Sequence, residues 1–136
     1  MPVYLDSCVV LDIMTDDERY GEWSAGILDA YRDQGLWVHW MVFAEICAGL
    51  AHVSEAEEVL RELGLEMRTS RQTGLWLAAK AFVRYRAAGG TKTSPLPDFF
   101  IGAQAEDECV ALITRDVQRF KTYFPSVTLI SPAADG

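Results

Sequence analysis

The strongest constraint on the fold of this chain is an alternation of two periodicities. Short β-prone runs recur at Val3-Tyr4-Leu5, Leu36-Trp37-Val38-His39-Trp40, Val110-Ala111-Leu112-Ile113 and Val127-Thr128-Leu129-Ile130, each stopped by polar or turn residues. Between them lie helical stretches, at roughly 18–34, 41–51, 54–64, 72–88 and 97–108, where apolar residues return every three or four positions. Short strands separated by helices require an α/β fold, with a parallel sheet covered on both faces. Sheets of that kind take ligands at the carboxyl ends of their strands. Asp6 follows the first run and Asp116 lies three residues after the third, so both are expected at one sheet edge.

Local signals place the helix ends. Ser54 with Glu57 resembles a capping box, and Gly64 is the expected stop of that helix. Gly89-Gly90-Thr91-Lys92-Thr93-Ser94-Pro95 reads as a loop, leading into Leu96-Pro97-Asp98, where Pro97 suits a first helical turn. Within the longest helix, Leu75, Ala79, Phe82, Val83 and Arg86 mark the stripe expected to be buried, with Lys80 and Arg84 elsewhere on the cylinder.

Composition bounds the setting. A chain of 136 residues, 50% hydrophobic and 24% charged, fits one globular domain over residues 1–136 with a core that needs no staples. Cys8, Cys47 and Cys109 are widely spaced and odd in number, which supports neither a disulfide framework nor a zinc ribbon and fits a reducing cytoplasm. The N-terminus has no basic leader, and no apolar run reaches the ~18 residues of a membrane span, so no membrane association is expected. The net charge of −8 would on average repel nucleic acid. That average conceals an asymmetry: residues 1–66 hold 14 of the 20 acids, whereas residues 67–97 hold six basic residues and no acid. The basic stretch reads either as a positive face or as an ordinary solvated helix surface.

Four acids sit where acids are unusual. Asp6 ends an apolar strand, Glu45 is the only charge within Met41–Leu50, Asp98 opens Pro97-Asp98-Phe99-Phe100-Ile101-Gly102-Ala103, and Asp116 follows Ile113-Thr114-Arg115. A charge in an apolar stretch is costly unless paired, hydrogen-bonded or bound to metal. Each also has an ordinary reading: Asp6 and Asp116 as turn acids, Asp98 as a helix-start carboxylate, Glu45 on a partly exposed strip. As a converging set they form an oxygen-only ligand group of the kind that suits magnesium or manganese. His39 and His52 belong to no catalytic arrangement and read as structural or surface residues. Cys8, followed by Val9, Val10 and Leu11, reads as a buried inert thiol. The Gly89–Thr93 segment lacks the pattern of a phosphate-binding loop.

The ordered set Tyr4-Leu5-Asp6-Ser7, Glu45, the P-D-x-x-I-G-A segment from Pro97 to Ala103, and Thr114-Arg115-Asp116 with Phe120 resembles the PIN-domain family, and within it the VapC-type toxins of prokaryotic toxin–antitoxin pairs. The resemblance covers essentially the whole chain. It implies an α/β/α sandwich and a magnesium- or manganese-dependent endoribonuclease. Asp6, Glu45, Asp98 and Asp116 match the acidic quartet that holds metal, and Thr114 and Ser7 match the hydroxyl residues that support it. Gln104 departs from the polar residue, such as His, that many relatives hold there.

The resemblance also implies an RNA substrate, a cognate VapB-type antitoxin that lays an amphipathic segment in an apolar groove and places an arginine among the acids, and a homodimer. Arg71, Lys80, Arg84, Arg86, Lys92 and Arg115 are then the expected positive rim for the substrate polyanion. Two other functions compete. A non-cleaving PIN-like module for RNA or protein binding would more often have lost one of the four acids. A phosphatase of the haloacid dehalogenase type expects a second Asp two residues after the first, where Cys8 stands.

Overall fold

The computed structural model describes residues 1–94 and 96–132, and Pro95 of the expected loop and residues 133–136 lie outside it. Five strands, β1 (Val3–Leu5), β2 (Leu36–His39), β3 (Leu65–Arg68), β4 (Ala111–Ile113) and β5 (Leu129–Ile130), form one sheet in the order β3-β2-β1-β4-β5. Every pairing is parallel, with Tyr4 level with Trp37 and Leu112, and Leu5 level with Ile113. The helices are α1 (Ser7–Met14), α2 (Gly21–Tyr31, extended by a 3-10 turn to Gln34), α3 (Trp40–Cys47), α4 (Val53–Leu63), α5 (Gln72–Ala87), α6 (Pro97–Glu108) and α7 (Val117–Lys121).

Right-handed crossovers between parallel strands fix the layers. From β1 the chain steps outward through β2 to β3, which places α1–α4 on one face. It then returns past β1 to β4 and β5, which places α5–α7 on the other. Contacts of α1 with α2 and α3, of α3 with α4, and of α6 with α5 and α7 follow this division. Helix α3 also meets α6, which brings the helix of Glu45 to the helix of Asp98. Strands β1 and β4 are neighbours whose onward connections run in opposite directions, the switch point where open α/β sheets leave a crevice. The core joins Tyr4, Leu5, Val38, Leu112 and Ile113 of the strands to Val9, Val10, Ile46, Ile101, Phe120 and Phe124.

Several expected elements changed extent. Trp40 leaves the second strand to open α3, because His39 caps that helix, its Nδ1 accepting from the Met41 amide at 3.1 Å. The last strand pairs only at Leu129–Ile130, and Val110 precedes β4. Helix α2 starts at Gly21 rather than near 18, since the Asp17 carboxylate takes the amides of Arg19 and Tyr20 at 3.1 and 2.8 Å and holds the preceding turn. Gly64 does close α4, in the left-handed conformation, but the start of that helix lies upstream of the Ser54/Glu57 pair: the Glu55 carboxylate reaches back to the His52 amide at 3.1 Å.

Three elements were not anticipated. Strand β3, Leu-Glu-Met-Arg, carries little apolar signal because it is an edge strand, with only Leu65 buried. Helix α1 lies in Ser7-Cys8-Val9-Val10, a β-branched run that local preference would extend; the Asp6 side chain caps it at the Ser7 amide instead. Helix α7 is a five-residue element anchored by buried Phe120. Helix α5 also turns a different face inward. It buries Gly74, Ala78 and Ala81, small residues that let it lie close to α6, while Leu75 and Val83 of the expected stripe are 40% and 59% exposed.

His39 is fully buried, its Nε2 2.5 Å from the Ser70 hydroxyl oxygen, and burial pushes its imidazole down to about 4. Its folded pKa is depressed, so the unfolded chain binds the extra proton and stability is lost as pH falls from about 6.5 towards 4. His39→Asn keeps a capping side chain that cannot take up a proton. Urea titrations should show wild type losing about 2 kcal/mol relative to His39→Asn between neutral pH and pH ~4. A constant difference between the two proteins would show that His39 is not the group that charges on unfolding.

Candidate metal-binding acidic site

The carboxyl ends of β1 and β4 build the site. The Asp6 amide donates to the Ile113 carbonyl at 2.9 Å, which fixes the end of β1 against β4. Its side chain is 2% exposed and fully engaged: Oδ1 accepts from the Ser7 amide at 2.8 Å, and Oδ2 accepts from the Thr114 hydroxyl at 2.8 Å and the Cys8 thiol at 3.4 Å. Thr114, the first residue after β4, also accepts the Asp116 amide at 3.0 Å. One buried hydroxyl thus orients both strand-end acids. The expectation that Asp6 and Asp116 emerge together is met.

The other two acids arrive on helices. Asp98 lies in the first turn of α6 behind Pro97, and Glu45 lies on α3. The Ser7 hydroxyl donates to Glu45 Oε2 at 2.9 Å, whereas Glu45 Oε1 is buried with no hydrogen-bond partner. Burial pushes the Asp6 carboxyl above the usual range, against the pull of Thr114, Cys8 and Ser7, and the Asp116 charge adds to the rise. Burial likewise raises Asp98; Arg119 opposes it, and the charges of Asp6 and Asp116 reinforce it. Asp6 and Asp98 therefore each feel the charge of Asp116, and Asp98 that of Asp6 as well.

Cys8 belongs to this group. Possible ligand atoms of Asp6, Cys8 and Asp116 all lie within 4.8 Å of one another. The thiol is half-buried, and burial together with the Asp6 charge pushes it up to about 12, so it stays protonated and unreactive. Its inertness matches the sequence expectation, but its place beside the acids was not foreseen, because a helix starting at Ser7 was not.

Five of the six residues of the expected basic rim have partners within the protein. Arg115 forms a two-pronged pair with buried Asp12 at 2.7 and 2.8 Å and lies over the Tyr20 ring, and Ser24 also donates to Asp12. Arg71 is held by Asp107 at 2.8 Å, Arg84 by the Tyr123 carbonyl at 2.9 Å, Arg86 by the carbonyls of Gly90 and Lys92, and Lys80 lies over Trp76. The cation that does reach the acids is Arg119, 3.1 Å from Asp98 and 3.8 Å from Asp116. Its spacing of three residues from Asp116 was the available signal, legible only once α7 is known to be a helix. Glu108 pairs with the Tyr4 hydroxyl and with Arg68, which covers Trp37, in a separate structural cluster.

The family model of the PIN domain matches residues 3–124. This chain belongs to the PIN-domain family. Solved structures of similar fold include a chain of VapBC2 from Rickettsia felis bound to a DNA fragment from its promoter, with TM-score 0.73 and 14% identity over 96% of this chain and 98% of that one. VapBC-1 from nontypeable Haemophilus influenzae has TM-score 0.72 and 15% identity over 96% and 98% of the two chains, and FitAcB from Neisseria gonorrhoeae 0.71 and 19% over 97% and 98%. At these identities the likeness is one of fold, the α/β/α sandwich with a parallel central sheet. No curated relative matches the sequence significantly. Among the described residues, no helix of this PIN domain is long and apolar enough to cross a membrane.

The residues fit a divalent metal. Asp98 and Asp116 share one guanidinium, that of Arg119, all the carboxylate donors are hard oxygens, and Glu45 Oε1 is a buried acceptor left without a donor. Asp6, Asp98, Asp116 and Glu45 are the side chains that could hold the ion.

Proposed function

We propose that this PIN domain, residues 1–136, is a magnesium-dependent endoribonuclease that hydrolyses RNA phosphodiester bonds, with manganese an alternative metal, and that it is the toxin of a VapBC-type pair. One observation carries the reading: at the switch point of the sheet the Thr114 hydroxyl donates to the Asp6 carboxylate and accepts the backbone amide of Asp116, which brings the two strand-end acids together. A binding surface for a polyanion would not concentrate carboxylates there, unless they serve to hold cations.

When bound, magnesium supplies Lewis-acid polarisation of the scissile phosphate and lowers the pKa of an attacking water. The protein's own residues position that chemistry. Asp6, Asp98 and Asp116 hold the metal, and Glu45 either joins them or orients the water. Thr114 and Ser7 fix the acids through the hydrogen bonds they donate. Preorganisation of this kind avoids reorganisation as charge develops on the phosphate. The fold shared with chains of toxin–antitoxin complexes supports a VapB-type antitoxin as partner. We assign its amphipathic segment to the cleft lined by Ile13, Met14, Val59, Glu62 and Leu63. A homodimer and a cytoplasmic location complete the reading.

The test is mapping of 5′ ends after incubation of antitoxin-free protein with total cellular RNA, with magnesium, chelator and Asp6→Asn arms. Discrete cuts that need both magnesium and Asp6 are expected. Identical profiles in all arms, with the native host's RNA included, would replace this reading with a non-cleaving PIN-like module that binds RNA or protein.

A further inference from the structure

Arg119 is the single basic side chain found to pair with acids of the candidate site among the described residues. Its backbone is placed by the packing of a short helix, while the side chain itself is more than half exposed. Helix α7 starts directly after Asp116 and is anchored by Phe120, which is fully buried, so the neighbouring residue 119 is presented towards the start of α6. There its Nη1 lies 3.1 Å from Asp98 Oδ2 and 3.8 Å from Asp116 Oδ2, spanning two acids that come from different elements.

Those two carboxylates are among the four that could hold a divalent ion. A guanidinium at this distance occupies lone pairs the ion would need and repels it as well. The arginine side chain is 58% exposed, against 22% for Asp98, so it can withdraw into water at small cost while the acids stay in place. Tethered on α7, it would remain at the pocket mouth, and its planar fork suits a phosphate oxygen pair better than a lysine would.

We infer that Arg119 is a displaceable counter-cation: it bridges Asp98 and Asp116 in the metal-free protein, and a divalent ion enters by taking its place. This rests on the metal-dependent reading above. Arg119 is in this account a positioning residue, whose effect is read in metal affinity rather than in turnover alone.

The experiment is calorimetric titration of Mn2+ into the full chain without RNA, for wild type, Arg119→Ala, Arg119→Lys and Lys121→Ala. Folding of each is checked by circular dichroism. Removing the competitor should tighten Mn2+ binding by about three- to tenfold, the scale of two partly exposed ion pairs. Arg119→Lys, which keeps the charge, should lie between the two. Lys121→Ala removes an equal charge from an exposed position on the same helix and should leave the affinity within about twofold of wild type. Equal or weaker Mn2+ binding by Arg119→Ala would overturn the exchange, as would an equal gain from Lys121→Ala, which would reduce the effect to net charge. Folded wild type and variants that all take up no Mn2+ would instead remove the metal-dependent reading, and the inference with it.

Discussion

Asp6→Asn should abolish magnesium-dependent cleavage, by on the order of 10³-fold or more, while leaving the metal-free fold at least as stable as wild type. The two halves of this expectation have one cause. Asp6 is 2% exposed, and its burial and the neighbouring Asp116 charge both disfavour the ionised form. An amide of the same shape removes that electrostatic cost. It keeps the acceptor for the Ser7 amide, and its NH2 can donate to Thr114, whose hydroxyl is free to rotate. A gain of about 1 kcal/mol in urea unfolding without metal is expected, the size commonly recovered when a functional acid is neutralised. With magnesium present the order should narrow or reverse, because ligand binding stabilises only the protein that binds it. Loss of more than about 2 kcal/mol in the metal-free variant would assign Asp6 to the fold rather than to the chemistry.

Gly102→Ala should cost about 3 kcal/mol, the upper end of what overpacking costs. Gly102 stands in the middle of α6, within the P-D-x-x-I-G-A segment, and a Cβ there would lie 2.4 and 2.6 Å from Cδ2 and Cε2 of the Phe124 ring. Phe124 is 1% exposed, so the ring has no solvent side to move into. Since α6 also carries Asp98 one turn earlier, the displacement should reach the acid site. Urea unfolding measures the loss. Phe124→Leu should cost less in the Gly102→Ala background than in wild type, because the two substitutions share one contact. Additive effects would mean that the crowding is relieved somewhere other than at Phe124.

These two residues show how far the chain could be read directly. Asp6 was conspicuous as a charge ending an apolar run, and Gly102 as part of a motif. The reason for the glycine, a phenylalanine 22 positions away, required the packed structure. Asp116 was placed beside Asp6 because strand ends in a parallel sheet share an edge, whereas Thr114 was singled out only by the family resemblance. Arg115, expected on the rim, is held by Asp12 about a hundred residues earlier, a partner that nothing local reveals. Arg119 went unnoticed because α7 is too short for its periodicity to show.

The sequence by itself determined the alternation of strands and helices, hence the parallel sheet, and the four acids set against apolar surroundings. Both are local properties: side-chain period fixes secondary structure, and a charge among apolar neighbours is costly wherever the chain goes. Only the tertiary structure decided the edge strand β3, the face of α5 that is buried, the thiol of Cys8 beside the acids, and which arginine reaches them. Those outcomes depend on which distant partner arrives at a given surface. That is settled by the closing of the sheet, with Ile113 and Asp6 joined across 107 residues, and not by any preference of the residues themselves.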